Sequence, residues 1–320
     1  MTFKKHVNNT INAVIDTFLY SHDFKILPLN TEKIFIIGSG SSYSQALYLG
    51  QLINNYLPFK VIVDNPYSFV RYSQVSKSDI LIHFSQEFKR NDNVCPIAFA
   101  KKMGMKTVLF SALEPKEKYK DLIDEWYWFA PETEKILVAS MSYLSGYALA
   151  LKYINYQLKQ TGKEIVYKID EIKIIMQKAQ DVIFNIKDVF NVFLYAGKYA
   201  QSIAVEGALK VNECLLQDAE SYEIKHYSHG KHFVSFNHDR IFNIIASDKD
   251  NDLIDLYRDT IFEKHHNINI MKSNLSEEVA VFEWGILMLN YIVQSMKKKK
   301  IRLSDIPVRD KIRVPHHFTY

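Results

Sequence analysis

The chain has 320 residues, 48% of them hydrophobic and 24% charged, with a formal net charge of +4 at pH 7. That length suits two cores of ordinary size, and the composition is globular, which excludes a disordered or collagen-like chain. The small, evenly spread charge gives no strongly basic nucleic-acid surface, and two cysteines, Cys95 and Cys214, cannot build a disulfide framework, so a cytoplasmic location is expected.

Residues 1–18 (MTFKKHVNNTINAVIDTF) carry apolar side chains at helical spacing and lack the unbroken apolar core of a signal peptide. No stretch reads as the ~20 apolar residues that cross a bilayer, so no membrane partner is expected. Short apolar runs follow at 33–38 (KIFIIG), 60–64 (KVIVD), 79–84 (DILIHF), 107–111 (TVLFS) and 125–130 (EWYWFA). Each predicts a strand buried on both faces, as in a parallel sheet. Amphipathic stretches at 43–55 and 96–103 separate them, and a long helix over 137–158 closes a first domain, 1–160. A polar linker starts at 159–164, and 165–188 predicts a helical connection. The second domain, 161–320, repeats the scheme with strands at 191–196 (NVFLYA), 240–246 (RIFNIIA), 267–271 (NINIM) and 279–283 (VAVFE). Strands ending at Gly38 and Gly197 set the repeat at about 160 residues. The basic run 297–300 with Arg302 ends an apolar helix pattern, where cations suit the helix dipole. A nucleic-acid patch is the competing reading of that run; no nucleic-acid partner is expected. The fold class expected is α/β: two doubly wound parallel-sheet domains, each a three-layer α/β/α unit.

The segment 34–43, IFIIGSGSSY, is a buried strand, a turn of small residues and a helix start. Unpaired backbone N–H groups and serine hydroxyls at such a turn suit a phosphate, and it lies at the carboxyl end of a strand, where open α/β sheets bind ligands. It is not G-x-G-x-x-G, because Tyr43 takes the third glycine position, and it has no P-loop lysine. A serine-capped helix without a ligand is the plain alternative. Two further polar helix starts follow, Ser85-Gln86 after DILIHF and Val138-Ala139-Ser140 before the long helix.

The order IIGSGSSY, HFSQ, ETEKILVASMS resembles the sugar isomerase (SIS) domain family, in its glucosamine-6-phosphate synthase branch. The resemblance implies that Gly40, Ser41, Ser42, Ser85 and Gln86 contact a sugar phosphate. It places Ser39 in the same substrate site and Val138 and Ser140 near the sugar. One departure stands out: the family follows Ser-Gln with Ser-Gly-Glu-Thr, and this chain has Glu87-Phe88-Lys89-Arg90. A carboxylate opposes an anion at a helix start. Arg90, at the position of the family's threonine, could offset Glu87 and bind the phosphate; otherwise the site has shifted or the ligand differs.

The densest segment is 203–230, IAVEGALKVNECLLQDAESYEIKHYSHG. Glu206, Lys210 and Glu213 stand at i, i+4 and i+7, on one face of a helix. An exposed charged stripe would explain that spacing alone. Here Ala204, Val205, Ala208, Leu209 and Val211 make the helix too apolar to be solvated, and buried charges must be paired or used. The segment resembles the second SIS domain of the synthase, A-x-E-G-A-L-K-x-x-E, then A-E-x-Y, then His-Gly, matched by Glu206, Lys210, Glu213, Glu220, Tyr222 and His229-Gly230. Moving a carbonyl between C1 and C2 needs a carboxylate base, the role given to Glu213. His229 would transfer a proton in ring opening, and Lys210 would stabilise enediol charge or hold Glu206. The resemblance implies a histidine supplied by a neighbouring subunit, hence a homodimer with shared active sites.

His226 replaces the family's usual glutamate and Lys231 a common proline. His226, His229 and His232, spaced by three, raise a metal, but a fourth ligand and outer shell are lacking, so none is expected. Cys214 reads as core. The tail 305–314, DIPVRDKIRV, resembles D-x-P-R-x-L-x-K-x-V, whose lysine forms a Schiff base with the keto sugar in the synthase. Lys311 is the nearest counterpart, one residue too close to Pro307, and a surface lysine is the other reading. A glutaminase domain is not expected, since no cysteine follows Met1. The expected activity is aldose–ketose isomerisation or deamination of a phosphorylated amino sugar, such as glucosamine 6-phosphate or fructose 6-phosphate, without nicotinamide, flavin or other cofactor. A fructosamine-6-phosphate-type deglycase and a non-catalytic sugar-phosphate sensor are the alternatives.

Overall fold

A computed structural model describes residues 3–88, 91–129, 139–235, 238–260 and 267–306. They divide into two compact units. An N-terminal unit lies within Asn9–Val166, and a C-terminal unit within Tyr167–Pro307 also takes in the first residues of the chain, up to Asn8.

Along the first part of the chain run α1 (Phe3–Leu19), β1 (Lys33–Ile37), α2 (Ser41–Tyr56), β2 (Lys60–Asp64), α3 (Pro66–Tyr72), β3 (Ile80–Ser85), α4 (Asn91–Lys102), β4 (Lys106–Ser111), β5 (Glu125–Trp128) and α5 (Met141–Lys159). The five strands are all parallel, in the order β2-β1-β3-β4-β5. β3 (ILIHFS) is buried at every position because it is central and covered on both faces. Phe35, Leu81 and Leu109 from the sheet meet Phe69 of α3 and Ile97 and Ala100 of α4 on one face. On the other, α2 and α5 lie together, Tyr48 stacking on Tyr147 with ring centres 4.6 Å apart. The chain leaves β1 for β2 on one side and returns to β3 on the other, so the β1/β3 boundary is a topological switch point.

The C-terminal unit holds α6 (Ile169–Ala179), β6 (Phe190–Tyr195), α7 (Ala200–Leu215), β7 (Ala219–Glu223), α8 (Ile224–Tyr227), α9 (Lys231–Ser235), β8 (Arg240–Ser247), α10 (Asn251–Thr260), β9 (Ile268–Ser273) and α11 (Glu277–Lys298). Its strands are parallel, in the order β7-β6-β8-β9, with the switch between β6 and β8. Val192, Leu194, Phe242 and Ile244 pack on Tyr227 of α8 and on Ile254 and Tyr257 of α10, while Trp284 of α11 donates to Ala246 O at 3.2 Å. The expected α/β class, two parallel sheets flanked by helices, is met.

Several expected elements are corrected. The strand expected at 279–283 is the opening of α11, whose run VAVFEWGILML is buried almost all round and so loses the helical alternation. By length and composition α11 could cross a membrane, contrary to the sequence reading, yet 83% of that window is buried within the fold. β7 was not expected: AESYE carries two glutamates and is only half buried, as suits an edge strand. The connection 165–188 is helical only over Ile169–Ala179. The basic run does mark a helix end: Lys297 and Lys298 lie in the last turn of α11 and Lys299 is its C-cap.

Candidate active site

At the carboxyl end of β1 the backbone turns sharply into α2. A Cβ on Gly38 would fall 2.3 Å from Ser42 O, so only glycine fits there. Gly40 (φ 59) is the N-cap of α2 and offers no side-chain cap. Ser42 N–H donates to Ser39 O at 3.2 Å and Tyr43 N–H to Gly40 O at 2.9 Å, which fixes the turn. Ser39 and Gly40 are exposed; Ser41 and Ser42 are half-buried. Ser140, buried, is the N-cap of α5 and makes no side-chain cap bond either. The first turns of the two helices are tied together: Gln45 Nε2 donates to Ser142 O at 2.7 Å and Tyr143 O at 2.9 Å, and Tyr147 OH to Ser44 O at 3.2 Å. Two helix N-termini without side-chain caps therefore lie side by side, each the positive end of a macrodipole.

β3 ends beside this turn, with His83 paired in register to Ile37. Ser85 is 2% exposed and its Oγ has no hydrogen-bond partner. Gln86 follows, half-buried. Ser39, Gly40, Ser41, Ser42, Ser85, Gln86 and Ser140 thus gather at one edge of one unit, at its switch point. Arg90 and Val138 lie outside the described residues. Phe88 explains the departing loop: it is 3% exposed and sits in the cluster on the α3/α4 face, edge-on to Tyr119. Asn93 of α4 donates to Glu87 O at 3.2 Å. Sequence reasoning missed His83, fully buried with both ring nitrogens unpartnered; a histidine inside an apolar strand run was the available signal.

In the C-terminal unit α7 carries Glu206, Lys210 and Glu213 on one face, as their spacing predicts. Lys210 Nζ lies 2.8 Å from Glu206 Oε1 and 2.9 Å from Glu213 Oε2. The side chains of Lys210 and Glu206 are 0% exposed and that of Glu213 is 30%. Burial alone would depress the Lys210 pKa, but attraction to Glu206 and Glu213 and hydrogen bonds to both outweigh it and raise the pKa. Burial pushes the Cys214 thiol up to about 12, as a core cysteine requires.

His229 is exposed in the turn between α8 and α9, its N–H donating to His226 O at 3.0 Å. Among the described residues no three His, Cys, Asp or Glu side chains gather as a metal site. Lys231, in the family's proline position, ties α9 to β7 through Glu220 at 3.1 Å and lies over the Tyr222 ring at 5.2 Å. Lys311 lies outside the described residues.

No family model matches the chain. The isomerizing glutamine–fructose-6-phosphate aminotransferase of Thermotoga maritima is 24% identical over 216 residues, 63% of this chain and 35% of that protein. Among solved structures, glucosamine-6-phosphate deaminase from Thermotoga maritima matches with a TM-score of 0.76 at 16% identity, covering 96% of this chain and 98% of that one. Both units carry the SIS fold. Tagatose-6-phosphate ketose/aldose isomerase from Escherichia coli shares it, with a TM-score of 0.70 at 14% identity over 96% of each chain. The matched segment is about a third of the length of the curated relative, 35% of it. SIS-fold proteins with different phosphosugars in their names share this scaffold, so the fold alone does not choose a substrate.

Proposed function

We propose that this SIS-fold chain binds a phosphorylated amino sugar and catalyses aldose–ketose isomerisation or deamination through its open-chain form. The observation that carries the reading is the Glu206–Lys210–Glu213 group. Two charges taken fully out of water beside a third that is half-buried are costly and gain little as scaffolding, whereas proton transfer needs a carboxylate held in one place. Glu213 alone of the three reaches solvent, so it is the base that moves a proton between C1 and C2. Lys210 and Glu206 are enclosed; they position Glu213 and set its charge surroundings. His229 serves ring opening. Ser39, Gly40, Ser41, Ser42, Ser85 and Gln86, with the α2 and α5 N-termini, hold the phosphate.

Glu213→Gln keeps the shape and removes the basicity. It is expected to lower turnover of glucosamine 6-phosphate or fructose 6-phosphate by at least ~10²–10⁴-fold, the usual contribution of a positioned base. Binding should change little, and solvent deuterium should no longer exchange into C2. A wild type that binds these sugars yet shows neither turnover nor exchange would instead be a non-catalytic sensor.

A further inference from the structure

β3 alternates its side chains across the sheet, so Leu81, His83 and Ser85 share one face. Leu81 belongs to the cluster under α3 and α4, which identifies the face. His83 and Ser85 stand about 7 Å apart along it, at the carboxyl end of the strand. Three hydrogen-bonding atoms are stranded there: His83 Nδ1, His83 Nε2 and Ser85 Oγ are buried and none has a partner. Asn93 lies near enough to favour the charged ring, but burial dominates, and the His83 pKa is pushed down to about 3. Phe88 meets the His83 ring edge-on, with centres 6.3 Å apart. Each stranded group leaves its loss of water uncompensated. An interior free to choose would put leucine and alanine at these positions. A neutral imidazole offers one N–H donor and one lone pair, and the serine hydroxyl offers either. Together they suit an oxygen that both accepts and donates.

We propose that His83 and Ser85 form a polar floor under the turn from β3 to α4 that hydrogen-bonds an oxygen of the bound sugar phosphate, with His83 a specificity-determining residue. The inference rests on the sugar-phosphate reading above. Ligand reaches the floor only when Phe88 leaves the core cluster, so binding and movement of the Gln86–Phe88 turn are coupled.

The test is thermal melting with and without ligand, using inorganic phosphate, glucosamine 6-phosphate and glucosamine. His83→Leu removes two stranded atoms, so the melting temperature without ligand should rise. The same change should weaken glucosamine 6-phosphate about tenfold, the loss of one or two buried hydrogen bonds. Ser85→Ala, a smaller change, should act in the same two directions. Weakening with phosphate as well assigns the floor to a phosphate oxygen, and weakening with the sugar phosphates alone to a hydroxyl. A lower melting temperature for both variants without ligand, or unchanged affinity for glucosamine 6-phosphate, overturns the proposal. A wild type that answers to none of the three ligands overturns the sugar-phosphate reading itself, a different result from a wild type that answers and a variant that answers equally.

Discussion

At the residue scale, Lys210 concentrates the energetics. Its ammonium is enclosed with a carboxylate at 2.8 Å and another at 2.9 Å, so its desolvation is offset only while both partners stay. Lys210→Met takes from the fully buried Glu206 its ammonium partner and should cost about 3–5 kcal/mol in urea unfolding at pH 8. The sign of the pH dependence follows from the raised pKa. The folded state holds this proton more tightly than the unfolded state, where the ordinary value is 10.5. Its contribution is therefore complete at every pH below that value and is lost as pH climbs through the higher folded one. The wild type should lose an increment of stability above pH 10.5 that Lys210→Met does not lose; identical alkaline slopes would show that Lys210 is not held as described.

At the element scale, the β1–α2 turn is where local geometry most directly conditions binding. Gly38→Ala forces a methyl to within 2.3 Å of Ser42 O, which must move with the start of α2. A cost of about 1–3 kcal/mol is expected, together with loss of the melting shift produced by glucosamine 6-phosphate. A variant that melts lower but keeps the full shift would place the ligand elsewhere. This element was readable in the sequence because a strand, small residues and a helix start follow one another without interruption. The Glu206–Lys210–Glu213 face was readable because helical spacing alone aligns it. β7 was hidden, since a half-buried edge strand with two glutamates has no apolar run. The start of α11 was misread because burial on all sides erases periodicity. His83 escaped notice because a strand's interior is read from its apolar neighbours, and an unpartnered imidazole shows only once its surroundings are known.

At the scale of the whole molecule, the chain uses one architecture twice with different chemistry at the two switch points. After β1 the turn presents hydroxyls and uncapped helix N-termini. After β6 the matching glycine, Gly197 (φ 84), faces the chain's own acid: Glu277 Oε2 is 2.9 Å from where a Cβ would stand. A carboxylate already occupies that position, so the C-terminal unit offers no second open anion cradle there, and its candidate chemistry lies on α7 instead. His229 stands apart from α7 in sequence and is exposed in the turn before α9, on which Phe233 is 65% exposed. An exposed histidine with a proposed catalytic role, followed by an exposed aromatic, fits the expectation that this turn meets a second copy of the chain. Light scattering at micromolar concentration should then give about twice the 37.4 kDa chain mass. Mixing supplies a sharper readout. His229→Ala and Glu213→Gln should each be inactive, yet a heterodimer of the two would hold one site with both groups intact. Random exchange of equal amounts makes half the dimers mixed, each with one of two sites working, so about a quarter of wild-type activity should return. A monomeric mass, or mixed inactive variants that recover nothing after unfolding and refolding together, would mean that each chain completes its own site.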